Sequence, residues 1–461
     1  MTVAAKPSPE IQRLQHGPIL STLLRLAVPN VLSMVATVLV GIAETYYVGR
    51  LGTTPLAAMA LVFPFAMLTG MMSAGAMGGG VSSAISRALG GSDLQRANTL
   101  AFHALVIGAG AGLLYTLVFV ALGPAFYRLL GGTGRVLDEA SRYSTVLFSG
   151  ALLVWLSNTL ASILRGTGNM RAPSVAIIAT AVLQILLGGT LALGFGPVPS
   201  LGMVGVAIGH IAATAAGVAF FLWFLMTGQG RLTMRVRGVA LRREMFSDIL
   251  KVGAVALIAP VQSVFTVLIF TGLLAHLGVL PLAGYSIGQR LEFLLIPIAF
   301  GIGVAAVPMV GMAIGAGDVG RARRIAWTAG ALSAFNLGVI GAVVTTAPDL
   351  WATLFSSDEA VLGHARQYLR VAGPAFPFFG LGLTLYFAAQ GSGRVLGPVL
   401  AGTVRLAVVA AVGAWMAGGG FGPPEYFGLV AAAMVVYGVA TATAVRFTRW
   451  GPRARPTSDE T

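Results

Sequence analysis

Glu44 is the residue of this 461-residue chain with the plainest capacity for chemistry, because it is a carboxyl group inside an apolar run. Asn30, Ser33, Thr37, Gly41 and Glu44 follow one another at steps of 3, 4, 4 and 3, which puts all five on one face of a helix. A polar stripe on an otherwise apolar helix faces a cavity or another helix and not lipid. Burying an ionised carboxyl group is costly, so an acid at such a place is a functional candidate. The chemistry open to Glu44 is uptake and release of a proton, or ligation of Na⁺; a structural hydrogen bond to a neighbouring helix is the plain alternative. Glu292 and Arg405 lie in two later apolar runs, at depths that differ by only about 5 Å. They can therefore form an ion pair, and Glu292 can equally serve in ion coupling. Arg290 is two residues from Glu292 and points elsewhere, so Arg290 and Arg405 are expected as structural charges within the membrane. An imidazole titrates near neutral pH, and His210 either relays a proton to Glu44 or packs as a hydrogen-bonded histidine.

Other motifs carry less. Gly284-Tyr-Ser286-Ile-Gly288 matches G-x-S-x-G, but a nucleophile elbow needs a strand before it and an acid and His in order. Gly315-Ala-Gly317-Asp-Val-Gly320 matches G-x-G-x-x-G, yet a helical run precedes it and no βαβ unit exists. Neither lysine follows a glycine, so no phosphate-binding G-x-x-x-x-G-K-[ST] is present and ATP is not expected. No His/acid metal spacing occurs, and the absence of cysteine excludes disulfides and thiolate chemistry. Met59, Met67, Met71, Met72 and Met77 can form an adaptable apolar surface, although ordinary packing explains them as well.

The elements that position these residues are membrane helices. The chain is 56% hydrophobic and 10% charged, against about 25% charged in soluble domains. A polar stretch to about His16 reads as a cytosolic tail and not as a signal peptide. Apolar runs long enough to cross the bilayer, which takes about 20 helical residues, lie near 23–48, 56–86, 98–122, 143–165, 173–194 and 202–227, then near 249–275, 282–314, 325–347, 367–390, 396–417 and 427–448. Short alternating strands of a β-barrel are absent. The expected fold is an all-α integral membrane protein of twelve helices: an N-lobe over 1–227, a basic cytoplasmic linker over 228–248 and a C-lobe over 249–461.

The net charge of +14 follows the same plan. With the N-terminus inside, 21 of the 29 Lys and Arg fall on cytoplasmic segments and six on external ones, leaving Arg290 and Arg405 in helices. That is the positive-inside bias, so the charge implies a cytoplasmic membrane face and no nucleic acid. The halves also repeat. Arg50-Leu-Gly-Thr-Thr-Pro-Leu-Ala57 recurs as His276-Leu-Gly-Val-Leu-Pro-Leu-Ala283 at an offset of 226. Gly91-Ser-Asp93-Leu-Gln-Arg96-Ala97 recurs as Ala316-Gly-Asp318-Val-Gly-Arg321-Ala322, and Gly166-x-Gly168 with Pro173 as Gly391-x-Gly393 with Pro398, both at 225. Six helices per half make this a parallel repeat about the membrane normal, which in transporters places a binding cavity between two pseudo-symmetric lobes.

Leu26-Ala-Val-Pro29, Glu44-Thr-Tyr-Tyr-Val-Gly-Arg-Leu-Gly-Thr53, Arg165-Gly-Thr-Gly168, Gly194-Phe-Gly-Pro197, Gly284…Arg290-Leu-Glu292…Pro297 and the two Gly-x-Asp…Arg-Ala loops together resemble the multidrug and toxic compound extrusion (MATE) family over about residues 20–445. The resemblance implies two six-helix lobes forming a V, a central cavity, and export of cationic, amphipathic compounds in exchange for H⁺ or Na⁺, with no other cofactor. The expected partners are small-molecule substrates and the lipid bilayer, and the expected state is a monomer in the cytoplasmic membrane with both termini inside. Glu44 takes the place of the family's usual helix-one Asp. In helix five an Asn and, four residues on, an Asp–Pro are matched by Gln184, Gly188 and Gly189, so the second N-lobe acid is missing. Asn158 matches a family Asn lining the same pocket, and His210 stands where Thr is common. Gln262 and Ser263 occupy helix seven where some Na⁺-coupled members carry Glu. Asn30, Thr37, Asn158, Gln184, Gln262 and Glu292 are thus expected to line the cavity, and Glu44 and His210 to couple the ion. A Na⁺ site wants several oxygens, which favours the proton. The rivals are a lipid-linked precursor flippase of the same superfamily, a membrane-embedded enzyme, and a channel or scaffold.

Overall fold

The computed structural model describes residues 9–228, 231–232 and 240–451. Residues 1–8, 229–230, 233–239 and 452–461, which hold parts of the expected tails and linker, lie outside the described residues. Backbone polar groups in hydrocarbon must be satisfied within their own segment, and the described chain accordingly consists of helices. The N-lobe comprises α1 (Ile19–Leu51), α2 (Thr53–Gly90), α3 (Leu94–Leu129), α4, α5 (Arg171–Leu193) and α6 (Gly202–Met226). α4 is the pair Gly134–Ser149 and Ala151–Gly166, bent by 43° at Gly150. The C-lobe comprises α7 (Arg243–Ala275), α8 (Val279–Gly315), α9 (Val319–Thr346), α10 (Glu359–Ser392), α11 (Leu396–Ala417) and α12 (Pro423–Phe447). Eleven of these helices are long and apolar enough to cross a membrane, and twelve with the bent pair taken as one span. The protein is a multi-pass membrane protein.

Pro29 sits inside α1, which continues as helix from Ile19 to Leu51. α7 begins at Arg243, so the last six residues of the expected linker are helical. The start of α7 is held by His103 of α3, whose Nε2 accepts the Arg242 N–H at 2.8 Å while Nδ1 pairs with the Thr99 carbonyl at 2.8 Å. An orphan donor at a helix start is thereby satisfied. α7 is interrupted at Leu257, between Arg243–Ala256 and Ile258–Ala275.

The repeated loops repeat in conformation as well. Gly52 (φ 124°) and Gly278 (φ 114°) immediately precede α2 and α8. Gly168 (φ 82°) matches Gly393 (φ 77°), and Ser92 (φ 60°) matches Gly317 (φ 80°). Next to the last pair, Asp93 accepts the Arg96 N–H at 2.8 Å and Asp318 the Arg321 N–H at 2.7 Å, each capping the helix that follows.

The lobes meet where backbones touch. A Cβ added to Gly80 of α2 would lie 2.7 Å from the nitrogen of Gly253 in α7. One on Gly90 would lie 2.7 Å from Met312 Cα, and one on Gly315 of α8 2.9 Å from Gly91 N. All these contacts are in the half of the molecule that bears the linker, as is the hydrogen bond from Ser83 Oγ to the Gln390 carbonyl. At Val31, α8 still covers α1, with the Cβ position of Gly301 3.1 Å from Val31 N. One and two turns farther on, Val35 and Val38 are exposed on that same face, so α8 has left α1 there. The lobes are closed at the linker end and part towards the other.

An L side chain is strained at φ 114°, by about 1–3 kcal/mol for such backbone regions. Gly278→Ala is expected to lose that much even though nothing lies within 4 Å of the added methyl. Gly272→Ala in α7, equally open but helical, is expected to be neutral or to gain up to about 1 kcal/mol. Thermal unfolding in detergent compares the two, and equal melting temperatures would show that the turn does not need glycine.

Candidate functional site

Two glycines build the N-lobe site. A Cβ on Gly205 of α6 would lie 2.8 Å from Ala192 N of α5, and one on Gly209 would lie 2.6 Å from Gly188 N. Because neither residue has a side chain, the two helices approach backbone to backbone. His210, the next residue, is thereby carried to Gln184. Gln184 Nε2 donates to Glu44 Oε1 at 2.7 Å and also contacts His210 Nδ1 at 2.6 Å. An amide NH₂ has two hydrogens, one for each acceptor, which leaves the imidazole proton on Nε2 of His210. Among the described residues, Glu44 has no cationic group within ion-pair distance. His210 reaches Glu44 only through Gln184, so a direct imidazole-to-carboxylate transfer is not what this arrangement provides.

The rest of the α1 stripe does not converge on Glu44. Asn30 is buried and its Nδ2 lies 3.3 Å from Met170 Sδ, fourteen residues or about 21 Å along the helix from Glu44. Its Oδ1 has no partner. Ser33 and Thr37 donate back to the carbonyls of Asn30 and Ser33 at 2.8 and 3.0 Å. Thr37 is exposed and Glu44 half-buried, so the stripe runs from the closed half of the lobe interface to the open half. Asn158 forms a separate contact, its Nδ2 donating to Ser73 Oγ at 2.7 Å. Ser73 lies in a π-helical stretch of α2, Met71–Met77, a departure from the α-helical ladder that recurs at functional sites.

In the C-lobe, Gln262 is buried and donates to Thr403 Oγ1 at 2.7 Å, while its Oε1 has no partner. Arg405 is also buried, with Nη2 3.3 Å from Ser263 Oγ and its guanidinium 4.7 Å from the centre of the Tyr437 ring. The expected Glu292–Arg405 ion pair is not formed, since no such contact falls within 4.0 Å. Glu292 instead accepts from the Tyr368 hydroxyl. The cause is one turn earlier in α8: Gly288 has no Cβ, and the Tyr368 ring occupies the place where one would stand. Arg290 is exposed and stacks 5.0 Å from the centre of the Phe355 ring.

The same packing explains the G-x-S-x-G match. Gly284 and Gly288 are the two small positions of a helix contact, with the Gly284 Cβ position 2.8 Å from Ala365 N, and Ser286 Oγ only donates to the Leu282 carbonyl at 2.8 Å. Tyr368, Ser73 and Met170 are the partners that sequence reasoning missed. For Tyr368 a signal existed in the i, i+4 glycines, which mark a face awaiting a bulky neighbour; for Ser73 and Met170 no signal existed.

A profile of the MatE family matches residues 29–190 and 256–416, one stretch in each half. The chain is 26% identical over 405 residues to the multidrug export protein MepA of Staphylococcus aureus (strain NCTC 8325 / PS 47), covering 86% of this chain and 87% of that protein. It is 27% identical over 393 residues to the MepA of Staphylococcus saprophyticus, covering 84% and 86%. The crystal structure of a MATE in complex with MaL6 has the same fold, with a TM-score of 0.87 at 22% identity over 95% of this chain and 98% of that one.

Removing the Tyr368 hydroxyl strips Glu292 of the one hydrogen bond described for it. A hydrogen bond to a charged or buried acceptor is worth about 1–3 kcal/mol, so Tyr368→Phe is expected to lower the melting temperature in detergent. An unchanged melting temperature would mean that Glu292 is satisfied by another group.

Proposed function

The chain belongs to the MatE family of membrane transporters, and from that premise we propose that it exports cationic, amphipathic small molecules in exchange for protons by alternating access. The observation that carries this reading is Glu44, an acid within a membrane helix whose described partner is a neutral amide and which has no cation paired to it. An ionised carboxylate in such surroundings needs an opposite charge. A proton supplies it covalently and a cationic substrate supplies it by proximity, so each displaces the other. Exchange of one for the other is antiport, with the gradient and not ATP as the source of work. The names of the curated relatives, multidrug export proteins, support the same direction and class of cargo.

Protons are favoured over Na⁺ by the donor set. Around Glu44 the other groups are the amide of Gln184 and the imidazole of His210, and the position of a second acid is Gly188. The linker end is assigned to the cytoplasm, in a cytoplasmic membrane, from the 21 basic residues on that side against six on the other. The closed linker end then corresponds to a state open to the outside, in which protons enter and the substrate leaves. In this state Gln184 keeps Glu44 oriented, and His210 holds the second hydrogen of that amide. The chain works as a monomer, each lobe rocking against the other around the site.

Glu44→Gln keeps the shape and removes the titrating group. In vesicles with an imposed proton gradient, it is expected to abolish gradient-driven efflux of a cationic dye; near-normal efflux would overturn the coupling role. His210→Ala frees the second hydrogen of the Gln184 amide and is expected to shift the pH profile of transport, so an identical profile would remove His210 from the coupling.

A further inference from the structure

At the linker end, each lobe reaches across to the beginning of the other. Asp248 lies in the first turns of α7, in the C-lobe, and accepts from two arginines of the N-lobe. Arg87 Nη2 of α2 lies 2.8 Å from Oδ1 and Arg96 Nη2 of α3 lies 2.9 Å from Oδ2. Arg87 also contacts Ser83, whose hydroxyl donates to the Gln390 carbonyl of α10. Arg321 is the counterpart of Arg96 at the repeat offset of 225. It leaves the cap of α9 and donates to the carbonyls of Leu14 at 3.3 Å and Gly17 at 2.6 Å, just ahead of α1. The third helix of each half therefore clasps the beginning of the opposite half. Among the described residues, the side-chain hydrogen bonds between the lobes all lie at this end.

The charges around Asp248 make it more than one contact among several. Arg87, Lys251 and Arg394 line one cleft with it, and Arg96, Arg243 and Lys251 line the adjoining one, where Glu244 is the other acid. Cations of the N-lobe thus face cations of the C-lobe with Asp248 between them. Removal of this carboxylate both breaks two charge-assisted hydrogen bonds and leaves like charges opposed across the lobe boundary, so both effects push the same way. The arginines are only partly exposed, with side-chain exposures of 17% for Arg87 and 38% for Arg96, so water and salt screen them less than surface groups.

We propose that Asp248, clasped by Arg87 and Arg96, together with Arg321 on the Leu14 and Gly17 carbonyls, forms a reciprocal latch that holds the linker end shut and has to release once per transport cycle. The inference rests on the alternating-access reading above. Its residues do not touch the Glu44 site; they position the lobes and bind no substrate.

The chain has no cysteine, so Leu94→Cys and Leu396→Cys, both at exposed positions on either side of the boundary, accept spin labels without further engineering. In lipid nanodiscs the parent pair is expected to give one dominant short distance. Asp248→Asn is expected to raise the population of longer distances about tenfold, the ratio that corresponds to one lost hydrogen bond to a charged group. Arg321→Ala should move the distribution the same way. The exchange Asp248→Arg with Arg87→Asp and Arg96→Asp, which restores opposite charges at both contacts, should move it back and so separates a latch from a folding defect. A distribution unchanged by both Asp248→Asn and Arg321→Ala overturns the proposal, as does failure of the charge exchange to restore it. The distance measurement needs neither substrate nor gradient. If Glu44→Gln leaves efflux intact while Asp248→Asn still opens the linker end, the coupling reading falls and the latch stands; the opposite pair of results removes the latch alone.

Discussion

Backbones touch across the middle of this molecule, and the remaining contacts depend on that closeness. Gly80 against Gly253 and Gly315 against Gly91 bring α2 to α7 and α8 with no side chain between them. In lipid there is little hydrophobic gain from pressing one apolar helix on another, so small residues and the hydrogen bonds they permit supply the attraction. The carbonyl of Gln390 is within reach of Ser83, and Asp248 within reach of two arginines, only because the helices carrying them lie this near. A larger residue in the row would separate the groups before it strained any of them.

The same device recurs on a smaller scale at each polar site. Gly205 and Gly209 draw α6 onto α5 and deliver His210 to Gln184, and Gly288 admits Tyr368 to Glu292. Polar side chains of the membrane helices meet here in pairs and triplets, while Asn30 Oδ1 and Gln262 Oε1 stay without a partner. The glycines decide which pairs exist. For Glu44 the result is a neutral partner, and for Glu292 it is a tyrosine hydroxyl.

The spans and lobes are legible in the sequence because hydropathy over about 20 residues needs no knowledge of neighbours. The positive-φ turns are legible too, since Gly52 and Gly278 stand in the same repeated octapeptide. Glu44, Gln184 and His210 are each identifiable, the first from its stripe and the other two from their places in a family pattern, and they do meet. The partner of Glu292 is not legible. Depth alone allows Arg405, whereas the structure selects Tyr368, and the choice depends on which helix packs on Gly288. Asp248 is hidden for the opposite reason: in a segment as basic as Arg231 to Lys251, one acid reads as a solvated charge until the arginines of the other lobe are placed beside it.

The repeat has a consequence for how the halves divide their work. At the offsets that relate the loops, 226 for the first helix and 225 for the later two, the places of Glu44, Gln184 and His210 are filled by Phe270, Val409 and Val435. Phe270 and Val409 lie together in one apolar cluster of the C-lobe. Conversely, Glu292 corresponds to Ala66 at the offset of 226. The two repeated halves thus carry different polar sites, Glu44 with Gln184 and His210 in one and Glu292 with Tyr368 in the other. On the proposed reading, the stoichiometry of exchange is then set by the N-lobe alone, at one titrating carboxyl group per turnover. The symmetry that remains is mechanical, not chemical.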